Sequence, residues 1–248
     1  MSNLPPLVDK ALADAGYDLV EALGGGWVRA RVSGDASGEL RLKVVPEGTL
    51  LAVQEGSVVE RIGLVPASDT PVGTSSVGLA ESPQILLRAL RLLKTLVTHP
   101  AGRLSAEVEA RLARIPGTER TREVRQRVGQ DVFREALVEF WNGRCALTGM
   151  RLPPELLRAS HAKPWAEASN AERLDPFNGL LLAVRYDALF DKGLIAFDDD
   201  GGILVSPAID QSTREFVVLR ESMHLRFVLP GHVPYLRYHR ENIAQLLR

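Results

Sequence analysis

Residues 157–165 read LRASHAKPW, and residues 175–195 read DPFNGLLLAVRYDALFDKGLI. The first stretch reads as a short strand ending at His161. A loop follows, and Asn178-Gly179 opens an apolar run, Leu180-Leu181-Leu182-Ala183-Val184, of strand length. A helix with Asp187 in its first turn comes next, with Asp191 four residues further on and Gly193 near its end. Each piece is weak on its own. A single histidine is more often structural than catalytic. Asn-Gly by itself is a turn signal, and two aspartates four apart on a helix are usually a solvated face. Their order along the chain is what carries meaning.

Working outward, residues 111–163 hold eleven Lys and Arg against six Asp and Glu, a local excess of five positive charges. Ten of the eleven are arginines, among them Arg120, Arg122, Arg125, Arg127 and Arg134. Arginine forks suit phosphate oxygens. Glu119, Glu123 and Glu135 could instead pair with them on a solvated helix face. The spacing predicts a helix over about 118–141, with Val128, Val132, Ala136, Leu137, Phe140 and Trp141 on its buried stripe and the arginines exposed. Ser82-Pro83 caps an earlier helix with Leu86, Ala89, Leu90, Leu93 and Val97 on one face. A shorter helix is expected at Ala106–Arg114, and residues 66–81, rich in Pro, Gly, Ser and Thr, read as a linker.

Before that linker, a small α+β module is expected over residues 1–65. It would contain a helix at 7–15, a hairpin built from Trp27–Val32 and Leu40–Val44, and further strands at Thr49–Gln54 and Val58–Val65. The predicted organisation is therefore 1–65 as an N-terminal module, 66–81 as linker, 82–117 as connecting helices and 118–248 as the domain that carries the chemistry. The fold class is α+β.

The whole chain has 248 residues, 45% hydrophobic and 25% charged, with a formal net charge of −1. That composition fits a globular protein with a real core and argues against disorder. No apolar run approaches the ~20 residues that span a bilayer, and the first residues lack a secretory pattern. Cys145 is the only cysteine, so the chain alone can form neither a disulfide nor a cysteine-based zinc knuckle. These features predict a cytoplasmic protein with no membrane partner.

The set GRCALTG (143–149), SHAKPW (160–165), NGLLL (178–182) and YDALFDKG (186–193) resembles the HNH endonucleases of the ββα-metal superfamily, and more narrowly bacterial restriction-type members. The resemblance covers roughly residues 118–241 and leaves the N-terminal module unassigned. It implies a C-terminal ββα-metal nuclease domain, preceded by helices and a small β-rich domain, that hydrolyses DNA phosphodiesters with one divalent metal. His161 matches the first motif histidine and Asn178 the motif asparagine. The last motif position, nine residues after the asparagine, holds Asp187 in place of the usual histidine. Aspartate is a hard oxygen ligand suited to Mg²⁺ or Mn²⁺. The position before the first histidine, often an acidic ligand, is Ser160. Four positions that hold a structural zinc in many relatives are Cys145, Thr148, Ala183 and Tyr186 here, so no structural zinc is expected.

By this resemblance His161 is the general base, with an ordinary pKa near 6.5. Asp187 holds the metal, and Asp191 either adds a second ligand or pairs with Lys192 or Arg185. Asn178 orients the His161 loop or coordinates through its amide oxygen, and orientation is the favoured role. Arg120, Arg122, Arg125, Arg127, Lys163 and Arg185 are the expected phosphate contacts, with salt-dependent binding. A homodimer is expected only if both strands are cut. The alternatives are a catalytically silent DNA-binding protein that keeps the HNH fold, for which Ser160 and Asp187 are the relevant departures, and a regulatory module led by the N-terminal part.

Overall fold

The computed structural model describes residues 4–33, 35–54, 58–98, 101–114 and 122–245. It divides into two compact units, Met1–Pro100 and Ala101–Arg248. No described helix is long and apolar enough to cross a membrane.

The N-terminal unit begins with α1 (Pro6–Ala15). Val8, Ala11, Leu12 and Ala15 fall at i, i+3, i+4 and i+7 and are buried. Gly16, at φ +85°, ends the helix with the left-handed cap that only glycine adopts cheaply. Then come β1 (Leu19–Ala22), β2 (Val28–Val32), β3 (Asp35–Val45), β4 (Gly48–Val53), a single helical turn α2 (Val58–Arg61), β5 (Val65–Pro66), β6 (Ser76–Ala80) and α3 (Pro83–Thr98). The strands form one antiparallel sheet in the order β1-β2-β3-β4-β6-β5. The register places Leu42 opposite Leu51 and Val28, so that one face is continuous and apolar. Leu86, Ala89, Leu90 and Leu93 of α3 are buried in the same unit. Each large side chain fully buried in this way contributes roughly 1.5–3 kcal/mol. On the sheet's other face Trp27, Leu50, Ala52 and Val77 cluster beneath Lys43, whose ammonium lies 5.8 Å from the Trp27 ring.

Two expectations are corrected here. Residues 66–81 are not a linker, because β6 pairs with β4 on one side and β5 on the other. Its small residues serve packing: a Cβ on Gly78 would meet Val59 Cγ1 at 2.1 Å, so α2 can rest directly on the strand. The unit therefore continues past residue 65 through α3, and the connecting helices do not form one segment. Val58–Val65 is not a strand either. Its first half is α2, and only its last residue joins the sheet. A short apolar run carries no period that would separate the two states.

The C-terminal unit contains α4 (Ala101–Ala113), α5 (Arg122–Phe140), β7 (Leu157–His161), α6 (Asn170–Arg173), β8 (Gly179–Ala183), α7 (Val184–Asp191), the hairpin β9 (Ile195–Phe197) and β10 (Ile203–Val205), α8 (Gln211–Phe216) and α9 (Val233–Asn242). The start expected for α5 at residue 118 and the position Arg120 lie outside the described residues, as does the Arg122 side chain. Along α5, Val132, Ala136, Leu137 and Phe140 are buried, as is Trp141 just after it, with Phe133 widening the stripe. Beta strands β7 and β8 pair antiparallel, with His161 opposite Gly179 and Ser160 opposite Leu180. Every residue of β8 is buried. Alpha helix α5 approaches this strand at Gly179, where a Cβ would lie 2.5 Å from Phe133 and 2.7 Å from Leu137. The glycine of the Asn-Gly pair thus serves close packing, and its φ of −136° needs no special freedom.

Candidate active site

His161 closes β7. Its ring stacks on Phe133 of α5, with centroids 3.9 Å apart and planes 19° off parallel, and meets Trp165 edge-on at 5.6 Å. Nε2 lies 2.9 Å from the carbonyl oxygen of Arg173. A carbonyl only accepts, so the hydrogen belongs on Nε2 and the lone pair on Nδ1. Burial pushes the imidazole down to about 4, against a smaller upward pull from the Arg173 carbonyl. The ring is therefore neutral near pH 7.

Asn178 is fully buried. Its side-chain oxygen accepts from the Lys163 amide at 2.7 Å, and its NH₂ donates to the carbonyls of Glu172 (2.9 Å) and Lys163 (3.2 Å). Its backbone carbonyl accepts from Ala162 N at 3.0 Å. These bonds tie both ends of the loop after His161 to one residue. With its amide oxygen engaged in this way, Asn178 sits as a clasp of the loop.

Ser160 and His161 are adjacent at the end of β7, and their side chains meet different helices, Asp187 of α7 and Phe133 of α5. The Ser160 hydroxyl donates to Asp187 Oδ1 at 2.7 Å. Asp191 follows one turn after Asp187 on the same helix. Its carboxyl is pushed up to about 6 by burial and then by the Asp187 carboxylate. The residue is exposed as a whole, so the neighbouring carboxylate is the cause that the geometry supports more firmly. Repulsion between two carboxylates is what a bound cation relieves. Two carboxylates and a hydroxyl are hard donors that fit Mg²⁺ or Mn²⁺. Among the described residues no group of three His, Cys, Asp or Glu could hold a metal ion, so water or phosphate oxygens would complete such a shell.

The expected phosphate contacts differ in how they are held. Lys163 is committed within the protein: its ammonium donates to both oxygens of Glu172 at 2.8 and 2.9 Å and lies 5.3 Å from the Tyr238 ring. That ion pair, together with the Ser169 backbone amide, holds the Glu172 carboxyl down at about 2. Arg125 pairs with Glu109 of α4. Arg134, expected to be exposed, donates to the backbone carbonyls of Leu157 and Pro154 and braces the start of β7. Arg127 is exposed on α5. Arg185 is exposed on α7, with its guanidinium 4.8 Å from the Tyr186 ring.

Several contributors were not singled out from the sequence. Phe133 had a usable signal, since it lies four residues before Leu137 and seven before Phe140. The Arg173 carbonyl and the Lys163–Glu172 pair had none, because backbone acceptors and non-local pairs leave no spacing to read. The turn at 145–150 is closed by backbone hydrogen bonds: Cys145 N donates to Met150 O, Gly149 N to Cys145 O, and Ala146 N to Leu181 O of β8. The buried Cys145 Sγ accepts from Ala183 N at 3.4 Å, joining two of the four positions that bind zinc in relatives.

Residues 145–198 match the family model described as HNH endonuclease. The match spans both strands of the site, the loop between them and α7. Over this segment the chain is similar to the HNH endonuclease family, which places an HNH domain in the C-terminal half. None of the curated proteins compared with the chain matches it.

Proposed function

We propose that the protein is a metal-dependent DNA endonuclease of restriction or defence type. In this reading neutral His161 takes a proton from water through Nδ1, and the hydroxide attacks the scissile phosphorus as the bond to the leaving 3′ oxygen breaks. A pKa of about 4 is low for a base working at pH 7. The phosphate anion beside the ring favours its protonated form and raises that value in the complex. The Arg173 carbonyl fixes the tautomer, Phe133 of α5 fixes the ring plane, and Asn178 holds the loop that leads to Arg173. A divalent cation held by Asp187 and Asp191 beside Ser160 would supply Lewis-acid stabilisation of the charge on the phosphate and leaving oxygen. Arg127 and Arg185 are the side chains best placed to meet backbone phosphates.

The observation that most supports this reading is the Ser160–Asp187 hydrogen bond, which sets the α7 carboxylate against the residue preceding His161. Supercoiled plasmid incubated with Mg²⁺, Mn²⁺ or EDTA tests it, with His161→Ala alongside. Nicking that needs metal and is lost in the variant is the expected result. DNA retardation without cleavage in either metal would favour the silent DNA-binding alternative.

A further inference from the structure

Next to His161, α4, α5 and the β7–β8 connection line a cleft of about 180 Å³ that opens to solvent. Its walls include Glu109, Arg125, Gln126, Trp165, Asn170 and Arg173, over an apolar floor of Val108 and Leu174. Gly129 lets the indole of Trp165 lie against α5, since a Cβ there would fall 2.6 Å from the ring. The Arg173 guanidinium sits 5.4 Å from that ring, donates from Nε to Trp165 O at 2.8 Å, and donates to Asn170 Oδ1 at 3.0 Å.

The charged groups in this cleft already have partners within the protein. Arg125 is paired with Glu109, and Arg173 is engaged by two oxygens. A phosphate entering here would face the Glu109 carboxylate. The groups remaining are an aromatic wall, a carboxylate acceptor, the Gln126 amide and an Asn170 NH₂ whose own oxygen is occupied. Such a lining suits a flat, uncharged ligand with hydrogen-bonding edges. The cleft also shares its walls with the catalytic candidate: Trp165 touches the His161 ring, and Arg173 supplies the carbonyl that holds Nε2.

We infer that this cleft receives an unpaired nucleobase of the DNA strand, next to the phosphate presented to His161. The inference rests on the nuclease reading for the identity of the polymer. Trp165 supplies the stacking surface, and Gln126, Asn170 and Glu109 contact the base edge. Bases that are mismatched, bulged or already single-stranded enter most easily, because the cost of unstacking them is smallest. Trp165 and Asn170 lie within the matched family segment, whereas α4 and the half of α5 that supply Glu109 and Gln126 lie outside it.

The test uses the full-length protein in EDTA and fluorescence anisotropy. The probes are two labelled DNA duplexes with randomised flanks: one carries a single bulged nucleotide and the other an abasic bulge at the same place. Wild type is expected to bind the base-containing bulge about tenfold more tightly than its abasic twin. The Gln126→Ala/Asn170→Ala double variant, altered only at exposed positions, should lose that preference while keeping its affinity for the abasic duplex. Equal wild-type affinities, no binding to either duplex at low salt, or a preference that survives in the double variant would each overturn the inference. A separate plasmid assay in Mg²⁺ and Mn²⁺ keeps the two readings apart. Cleavage without base preference defeats the cleft and spares the nuclease, whereas base preference without cleavage does the reverse.

Discussion

His161 at the end of β7 and His239 in α9 are held by nearly the same contacts. Each ring stacks on a phenylalanine, His161 on Phe133 at 3.9 Å and His239 on Phe190 at 3.8 Å. Each Nε2 lies 2.9 Å from a backbone carbonyl, and burial pushes each imidazole down to about 4. The second nitrogen separates them. His239 is 2% exposed, and its Nδ1 is buried without a hydrogen-bond partner. His161 is only half-buried and has no such buried nitrogen. A stack and a carbonyl bond therefore make a neutral, oriented ring. Chemistry needs, in addition, a lone pair that substrate can reach.

The sharpest way to break this comparison is to remove each ring in turn. His161→Ala should lower cleavage by about 10²- to 10⁴-fold, the usual scale for a general base. His239→Ala should leave cleavage per folded molecule within about twofold and reduce stability by about 2–3 kcal/mol, read from urea unfolding. Loss of cleavage in a folded His239→Ala protein would erase the distinction.

The carboxylate side of the site allows a second test. Asp187→Asn should weaken Mn²⁺ binding by roughly tenfold or more, measured by calorimetry. It should also bring the Asp191 pKa part of the way down from about 6, because the repelling charge is gone while the burial that raises it remains. Carboxyl NMR titration of the metal-free protein reads that shift directly.

The pH dependence of stability sharpens the comparison further. Between about 4 and the ordinary 6.5, the folded protein leaves both histidines neutral while the unfolded chain protonates them. Stability therefore falls as pH drops through this window, by at most about 1.4 kcal/mol per pH unit for each histidine. Asp191, raised to about 6, acts in the opposite sense between 3.8 and 6 and offsets part of the loss. Urea midpoints at pH 7.5, 6 and 5 should show the net decline, and His239→Phe should make it shallower. The smallest expected effect concerns the arginines. Arg127→Ala should reduce the salt slope of DNA binding by about 1. Arg125→Ala should change it less, since Glu109 already pairs with that side chain.

The order of elements around the site could be read from sequence because the strand–loop–strand–helix pattern is local: His161 ends β7, Asn178 precedes β8 and Asp187 lies in the first turn of α7. Their surroundings could not. The ring plane of His161 depends on Phe133, 28 residues upstream, and its tautomer depends on a backbone oxygen. Lys163 looked like a free cation until its loop folded back onto Glu172. In the N-terminal unit, the small residues of β6 resembled a linker because composition does not reveal which strands will flank them.

The Asn178-Gly179 pair has a consequence for the protein's chemical lifetime. In a flexible chain, the amide nitrogen of a glycine attacks the side-chain carbonyl of a preceding asparagine, and a succinimide forms that hydrolyses to aspartate or isoaspartate. Glycine speeds this reaction by leaving the approach unhindered. Here Phe133 and Leu137 leave no room for any larger residue at position 179, so the fold keeps a dipeptide prone to ageing. Its safeguard is conformational: the Asn178 amide is held at three points on the far loop, away from the attacking nitrogen. Deamidation at this position should therefore record the time a molecule has spent locally unfolded, and each event would leave a charged, misfitting clasp in the fully buried centre of the site.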